Sequence, residues 1–355
     1  MTSSPAHHTI TLHMKQLTVL AITTGIILTI SACTPAAGTT LKKTNESVSG
    51  NITESESDAA TDEAVLYHNR DNSIPPDAVK MTPETDLYPP ILHSDEYLTP
   101  VPLPGPVNSA GGEDSPFIMP DGKTLYFFFT PDVDVPIEGQ LIDGVTGIYV
   151  SHHRENGSWT ESERLILNDD VSLDGCAYIN QDKIWFCSVR KGYTGIHWFT
   201  AEYINGRWTN LKYSPLNLLD GFEIGELHFS QNGRELYYHS SRPGGLGGYD
   251  IWVTRYISGK WQEPEHITSV NTPDSEGWPC LSEDGSELWF TRFYQGSPAI
   301  FRSKRSDTIW DEPELIMSQF AGEPALDRDG NLYFVHHYYT HAHMLEADIY
   351  VAMKK

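Results

Sequence analysis

From about residue 97 onward, hydrophobic and polar positions alternate in short runs that glycine-containing turns separate. Each repeat has one run of aliphatic and aromatic residues, at residues 125–127, 184–186, 236–238, 288–290 and 332–334. Four of these runs are followed by a tryptophan, namely Trp159, Trp208, Trp261 and Trp310, which stand 49, 53 and 49 residues apart. A nearly constant period of this size indicates one supersecondary unit stacked on its copies.

The third copy shows the repeating unit most clearly. Its predicted parts are strand A at 226–230, a turn at 231–233, strand B at 235–240, a glycine-rich connection at 242–248, strand C at 249–256 and strand D at 260–267. Asn232-Gly233 favours a tight hairpin, because both residues adopt positive φ readily. Short β-branched and aromatic strands between such turns predict an all-β fold, and radial repetition of four-stranded sheets predicts a β-propeller.

The number of blades depends on how the last copy is completed. The fifth copy ends at Lys355, before a strand D would follow, whereas residues 97–103 repeat the pattern of residues 261–267 and 310–316. We therefore expect residues 97–103 to supply the missing strand, which would close a five-bladed ring and leave no exposed sheet edge. The alternative is a six-bladed ring in which residues 64–96 form a degenerate blade.

The units resemble the WD40-like β-propeller repeat of bacterial TolB-type and related envelope proteins. The resemblance covers residues 97–355 and is carried by Ser-x-Asp/Asn-Gly before the aromatic strand, Ser-x-Arg after it, a glycine-rich loop and Tyr-Asp-Ile-Trp. Residues 240–252 are the closest copy, and residues 188–190 are a partial one. The resemblance implies a propeller in an extracytoplasmic setting, and it implies no particular reaction.

The net charge of the chain limits the classes of molecule that the protein is expected to bind. The 48 acidic residues outnumber the 24 basic ones, which gives a net charge of −24. Such a surface repels nucleic acids and anionic lipid headgroups. Cations, basic proteins and neutral glycans remain suitable ligands.

The N-terminal region predicts where the protein is located in the cell and not how it folds. Residues 1–32 comprise upstream residues and a signal peptide, whose apolar stretch at 17–30 precedes Ile30-Ser31-Ala32-Cys33. This sequence resembles a bacterial lipobox, with Cys33 as the lipidated residue. Polar residues 33–63 then predict a disordered tether and residues 64–96 an extended segment before the propeller at 97–355. The alternatives to lipidation are an ordinary signal peptide or an N-terminal anchor helix.

Three further cysteines lie in the predicted propeller. Cys176 and Cys187 flank one predicted hairpin at nearly equal distances from its turn, so a cross-strand disulfide is possible outside the cytoplasm. A register shift of one residue would instead point the two side chains to opposite faces. Cys280 would then be a free, buried thiol. The chain has no Cys-x-x-Cys pair, which disfavours a structural zinc site.

Carboxylates recur where each strand A begins. Alignment of the copies on their first turns puts Glu113, Asp174 and Glu276 at one level and Glu226 and Glu323 two residues later. Because strand A lines the central channel of a propeller, all five acids are expected near one mouth, with Asp114 and Glu223 close by. Arg190 and Arg242 follow strand B in adjacent blades, where they would pair with these acids or hold a carboxylate ligand.

Three interpretations of these acids stay open. They would cap the connections into strand A by accepting hydrogen bonds from backbone N–H groups. They would alternatively bind a polar ligand or a hard cation, for which calcium is the candidate cofactor. In five-bladed propellers that resemble arabinanases, paired acids at this place hydrolyse glycosides.

Two loops contain pairs of potential metal ligands, which are weaker evidence for a metal site. Asp132 and Asp134 alternate in the first B–C loop, and His341 and His343 alternate in the last blade. Neither pair brings a complete ligand set. Together the patterns favour a lipid-anchored envelope protein, monomeric, that binds a protein or glycan partner and is not itself an enzyme. The alternative function is a glycan hydrolase that uses the mouth carboxylates.

Overall fold

The structure is a computed structural model that describes residues 69–167, 171–217 and 223–355. Cys33 and the predicted signal and tether segments lie outside the described residues. The first described elements are a short helix and two short strands: α1 at Arg70–Ser73, β1 at Ile91–Leu92 and β2 at Val101–Pro102. No helix in the described ranges is long and apolar enough to span a membrane.

The remaining strands form five successive antiparallel units. The first contains β3 (Gly112–Ile118), β4 (Thr124–Thr130), the helix α2 (Ile137–Gln140), β5 (Gly147–His152) and β6 (Glu163–Arg164). The second contains β7 (Ser172–Asn180), β8 (Lys183–Arg190), β9 (His197–Ile204) and β10 (Arg207–Tyr213). The third contains β11 (Ile224–Phe229), β12 (Glu235–Ser240), β13 (Asp250–Ile257), β14 (Lys260–Trp261) and β15 (Glu265–His266).

The last two units complete the chain. The fourth contains β16 (Glu276–Leu281), β17 (Glu287–Tyr294), β18 (Ser297–Ser306), β19 (Ile309–Trp310) and β20 (Glu314–Ser318). The fifth contains β21 (Ala321–Leu326), β22 (Leu332–Tyr339) and β23 (Met344–Ala352). Each unit is an antiparallel meander; in the third and fourth units the last two short strands both pair with the strand before them.

The units are arranged as a propeller. The first strand of each unit contacts the first strand of the next, and β21 of the fifth unit contacts β3 of the first, so these strands form a closed cycle. Five hydrophobic clusters lie between neighbouring units, one for each adjacent pair. Burial on both faces explains why β16 is buried at all six positions and does not alternate. The predicted all-β propeller is therefore confirmed.

The outer strand of the fifth unit comes from the N-terminal side of the propeller. Strand β2 pairs antiparallel with β23, with Val101 opposite Val351, and Tyr97 bridges to Lys354. The only strand at residues 69–96 is β1, which pairs with β20 at the edge of the fourth unit. The described part of residues 64–96 therefore builds no sixth unit, and five blades remains the predicted count.

The predicted strand D is interrupted in every unit except the second; in the first unit, which has no proline at this place, Trp159 bridges to His153 before β6 begins. In the third unit Pro264 separates β14 from β15, and in the fourth unit Pro313 lies between β19 and β20. Proline has no backbone N–H, so it cannot donate to the ladder within a strand. Strand β10 of the second unit has no proline and runs unbroken over seven residues.

Candidate functional site

A β-bulge in every first strand positions the side chains around the axis. The register shifts after Asp114, Gly175, Ile224, Gly277 and Gly322. We call the position of Glu113, Asp174 and Glu276 in their strands the mouth position. The residue two positions after it has a positive φ, between 46° and 55°, in four units, namely at Ser115, Cys176, Trp278 and Glu323. A bulge turns one extra side chain away from the ladder, so that it points to a neighbouring unit.

The position of the bulge corrects the predicted alignment of Glu226 with the acids of the other units. In the third unit three residue pairs separate the bulge from the turn, whereas the first and fourth units have two. Alignment on the bulge puts Glu223, not Glu226, beside Glu113, Asp174 and Glu276. Glu226 then lies one residue beyond the level of Glu323. The fifth unit has Ala321 at the mouth position and so contributes no acid there.

Three of the predicted mouth acids are paired with arginines. Glu113 accepts from Arg70 at 2.5 Å, Asp174 from Arg190 at 2.8 Å, and Glu276 from Arg292 at 2.8 Å. Glu113 and Glu276 are fully buried and Asp174 is 8% exposed. Each arginine also lies over a phenylalanine ring, at 4.6, 5.0 and 4.6 Å from Phe129, Phe199 and Phe301 respectively.

Two of these acids also cap the connection into their strand. Glu113 accepts from the backbone N–H of Ser109 at 2.9 Å, and Glu276 accepts from the N–H of Thr272 at 2.9 Å. Burial raises the pKa of Glu276 and of Asp174, although their hydrogen bonds and arginine neighbours oppose that shift. The capping interpretation accounts for Glu113 and Glu276, and their lone pairs are largely used within the protein.

Arg190 and Arg242 have different partners. Arg190 pairs with Asp174, as one of the two predictions for it stated. Arg242 donates to the hydroxyl of Tyr238 at 3.1 Å, and its guanidinium lies 4.8 Å from the ring of Trp252. In the same unit the carboxylate of Glu223 accepts from the hydroxyl of Tyr249.

A second group of side chains from three units meets at the bulges. The Ser115 hydroxyl lies 2.7 Å from Oε1 of Glu226 and 2.9 Å from Oε2 of Glu323, and the Ser115 N–H donates to that Oε2 at 3.0 Å. Asp114 is 6% exposed and accepts from the same N–H at 2.9 Å. We call Asp114, Ser115, Glu226 and Glu323 the inner group.

The contacts of the inner group favour the retention of a proton by one of its carboxyl groups. A serine hydroxyl has one hydrogen, so it can donate to only one of the two carboxylates that contact it. Burial raises the pKa of Glu226 to about 7, and the charge of Asp114 adds to this shift. Burial, followed by the charges of Asp114 and Glu226, holds the pKa of Glu323 well above its usual range. A protonated Glu323 would supply the second hydrogen bond.

Two buried side chains at this place keep unused polar atoms. Oε1 of Glu323, a residue that is 2% exposed, has no hydrogen-bond partner among the residues that the structure describes. Both ring nitrogens of His337, which is also 2% exposed, have none. Burial lowers the pKa of His337, and the charge of Asp114 opposes that shift, so burial favours the neutral imidazole.

The weaker metal signal does not assemble into a site. Nε2 of His343 lies 3.3 Å from Asp134, which joins the last unit to the loop of the first. His341 instead contacts the Tyr88 hydroxyl at 2.8 Å, and Asp132 accepts from the backbone N–H of Asp134 at 2.9 Å. Among residues 69–167, 171–217 and 223–355, no group of three or more His, Cys, Asp or Glu side chains is arranged to bind a metal.

Cys176 and Cys187 come together across their hairpin without forming a disulfide. Both are free, buried thiols, as is Cys280. The possible disulfide is therefore not present in this structure. The bulge makes Gly175 the register partner of Cys187 and leaves Cys176 at φ 54°, outside the regular ladder. This displacement removes the symmetrical opposition on which the prediction depended.

The sequence patterns missed several residues of this region. Arg70 comes from the segment before the propeller, 43 positions away from Glu113. Ser115 belongs to no acidic or basic pattern, and it is important only because the bulge turns it toward two other units. Arg292 could have been found from the sequence, because it stands two positions beyond the aromatic run at 288–290. In β17 it lies directly opposite Glu276.

Comparisons with known proteins find distant structural likeness only. No known protein family and no curated protein matches the sequence. The chain is similar to the endo-arabinase of Bacteroides thetaiotaomicron VPI-5482, with a TM-score of 0.47 and 16% identity over 70% of this chain and 96% of that one. It is also similar to the gluconolactonase XC5397 of Xanthomonas campestris, with a TM-score of 0.41 and 12% identity over 68% and 72% of the two chains.

A third similar structure is TolB from Acinetobacter baumannii. The TM-score is 0.42 and the identity 14%, over 69% of this chain and 55% of that one, so the chain spans about half the length of this TolB. At these identities the likeness concerns the fold and transfers no ligand, substrate or site residue to this chain.

Proposed function

We propose that this protein is an envelope-attached β-propeller that works as a binding module and not as a hydrolase. The observation that carries the proposal is that three of the predicted mouth acids are already paired with arginines. Arginines already hold Glu113, Asp174 and Glu276, which leaves them no free role as proton donor or nucleophile. Near these acids, unused capacity for hydrogen bonding includes Oε1 of Glu323 in the inner group and both ring nitrogens of His337.

The ligand of the inner group would be small and polar. Oε1 of Glu323 can accept, and a neutral His337 offers one donor and one acceptor. A hard cation such as Ca²⁺ would have to displace the proton that Glu226 and Glu323 retain, because metal ligands bind deprotonated. We therefore favour a neutral polar group of a protein or glycan partner and retain calcium as the cation to be tested.

Thermal unfolding with and without calcium tests the cation. A ligand that binds only the folded state raises Tm with its concentration. The measurement compares the wild type with Glu323→Gln at millimolar calcium. A rise in the wild type alone supports a cation at the inner group, whereas an unchanged Tm in both removes calcium from the proposal. A screen of neutral sugars and amides by the same assay then tests the favoured ligand class.

The envelope attachment rests on the sequence Ile30-Ser31-Ala32-Cys33 and on the polar residues that follow it. A diacylated cysteine anchors a protein to a membrane surface without a spanning helix. The wild type, expressed in a bacterium, is expected in the detergent phase after phase separation, and Cys33→Ser in the aqueous phase. A Cys33→Ser protein that still partitions fully into detergent would overturn the lipid anchor.

Glycoside hydrolysis remains the second candidate because of one observation. The pKa of Glu226, raised by burial to about 7, is in the range of a general acid. The arrangement is unfavourable otherwise, because Glu226 and Glu323 both contact one hydroxyl and Glu323 is buried, whereas a glycosidase needs both of its carboxyl groups to face the sugar. Release of reducing ends from arabinan that disappears in Glu226→Gln would favour the hydrolase. Equal residual release by both proteins would exclude it.

A further inference from the structure

The last hairpin of the propeller carries polar and aromatic side chains on one face. Strands β22 and β23 pair His336 with Asp348 and Tyr338 with Glu346, and Tyr350 lies two positions beyond Asp348. Because side chains two positions apart share a face of a strand, these five residues lie together. All of them are 2% exposed or less.

A lysine from outside the propeller occupies this face. Nζ of Lys80 lies 2.5 Å from Oδ2 of Asp348 and also pairs with Glu346, and it stands 5.8 Å from the ring centroid of Tyr338. Lys80 is the only basic residue at 74–90, a stretch that contains five prolines. A cation held by two carboxylates beside an aromatic face is the arrangement that recognises ammonium groups.

The pocket has binding capacity beyond what Lys80 uses. The carboxylate of Asp348 is 1% exposed, and its Oδ1 has no hydrogen-bond partner within the described part of the chain. Tyr338 donates to Oδ2 of Asp348 at 3.3 Å and lies 2.7 Å from the Tyr350 hydroxyl, which fixes the wall of the pocket. The Lys80 side chain is 38% exposed, so the pocket opens to solvent along the path of that side chain.

The stretch that delivers Lys80 is held by few contacts. Within the described residues, no backbone–backbone hydrogen bond joins residues 74–90 to a propeller strand, and sheet pairing begins only at Ile91. The polar contacts of this stretch with the propeller are those of Lys80, the Met81 N–H to Glu346 at 2.9 Å, Asp86 to His336 at 2.8 Å, and Tyr88 to His341 at 2.8 Å. The Met81 side chain also packs against the hydrophobic cluster between the fourth and fifth units. Segments that lack such pairing open at low free energy.

We propose that Glu346, Asp348, Tyr338 and Tyr350 form a binding site for a primary alkylammonium group, which Lys80 fills in the free chain and which a lysine side chain of a partner can fill when residues 74–90 are displaced. The site shares no residue with the mouth acids or the inner group. It therefore stands whether or not the inner group has a ligand.

Chemical rescue of Lys80→Ala tests the site. The substitution removes the atoms of an n-propylammonium ion, so this ion should fit the vacated space. We expect Lys80→Ala to lower Tm and n-propylammonium chloride to restore about half of the loss, since a ligand specific to the folded state stabilises by mass action. The controls are the wild type at the same salt concentration and tetramethylammonium chloride, which has no N–H donor. Neither control should show a rise in Tm.

The outcome is interpretable even when the variant folds poorly. If Lys80→Ala is insoluble, refolding yields with n-propylammonium and with tetramethylammonium replace Tm, and a higher yield with n-propylammonium alone supports the site. Equal effects of the two ions, or an equal rise in Tm of wild type and variant, would overturn the proposal. Lys80→Arg should not respond to n-propylammonium, because its guanidinium keeps the pocket filled.

Discussion

The Ser115 hydroxyl in the first unit lies 2.7 Å from the carboxylate of Glu226 in the third, although 111 positions separate them in the chain. The contact requires the bulge that gives Ser115 a φ of 46°. It joins side chains across the centre of the propeller and, together with Glu323, concentrates carboxyl groups where water is largely excluded. The stability of the protein should therefore depend on pH.

Glu226→Gln should remove part of that dependence. Burial raises the folded-state pKa of Glu226 to about 7, above its usual 4.5, so the folded chain binds this proton more tightly than the unfolded chain does. The stabilisation is complete below the unfolded pKa and is lost as pH rises through about 7. We expect Glu226→Gln to match the wild type at about pH 4.5 and to exceed it at about pH 8 by on the order of 1–3 kcal/mol.

Urea denaturation at the two pH values measures this difference. Glu263→Gln, at an exposed glutamate of the third unit, is the matched control and should follow the wild type at both pH values. A Glu226→Gln curve that runs parallel to the wild type across this range would contradict the assignment of a retained proton.

Arg292 should be required to keep Glu276 in the core. Glu276 is fully buried, and Arg292 donates to it at 2.8 Å. Removal of one partner leaves an uncompensated buried charge, so Arg292→Met should cost about 3–5 kcal/mol of unfolding free energy. The double variant Arg292→Met with Glu276→Gln should cost less than Arg292→Met alone, because no charge is then left unpaired. Additive losses in this cycle would show that the pair is not coupled.

Gly225 should not tolerate a side chain. A Cβ at this position would lie 1.7 Å from Nε2 of His239, which is held in place by the Trp278 N–H at 3.0 Å from its Nδ1. Gly225→Ala should therefore destabilise by about 1–3 kcal/mol through overpacking. His239→Ala removes the clashing ring, so the double variant should be more stable than the sum of the single losses implies. Thermal unfolding of all four proteins measures this.

The three propeller cysteines should be unreactive thiols. They are at most 9% exposed, and burial raises the pKa of Cys280 to about 12. A hydrogen bond with Cys187, followed by burial, holds the pKa of Cys176 well above its usual range. In a Cys33→Ser background, a maleimide should label none of them in the folded protein and all three in denaturant without reductant. Labelling of only Cys280 in denaturant would show that Cys176 and Cys187 form a disulfide.

The propeller could be predicted from the sequence because its signals are local. Aromatic runs and Gly turns are set by neighbouring residues, and they recur with a constant period. The level of Glu226 could not be predicted from the turn, because the extra residue pair in the third unit shifts the bulge without changing Asn232-Gly233. The contact between Arg70 and Glu113 was also inaccessible, since residues 69–96 show no periodicity that would relate them to a blade.

Residues 96–103 should determine whether the ring closes. The backbone N–H of Leu103 donates to Ile349 of β23 at 2.9 Å, and that of Leu98 donates to Met353, directly after β23, at 2.8 Å. Glu96 pairs with the buried Arg302 of the fourth unit at 2.6 Å. A chain that lacks residues 1–104 would expose the edge of β23 and leave Arg302 without one of its carboxylates. Exposed edges pair with other chains, so we expect this truncation to lose cooperative unfolding or to form oligomers in size-exclusion chromatography. A chain lacking only residues 1–63 keeps the closing strand and should unfold cooperatively as a monomer, whereas equal stability of both truncations would mean that the ring closes without β2.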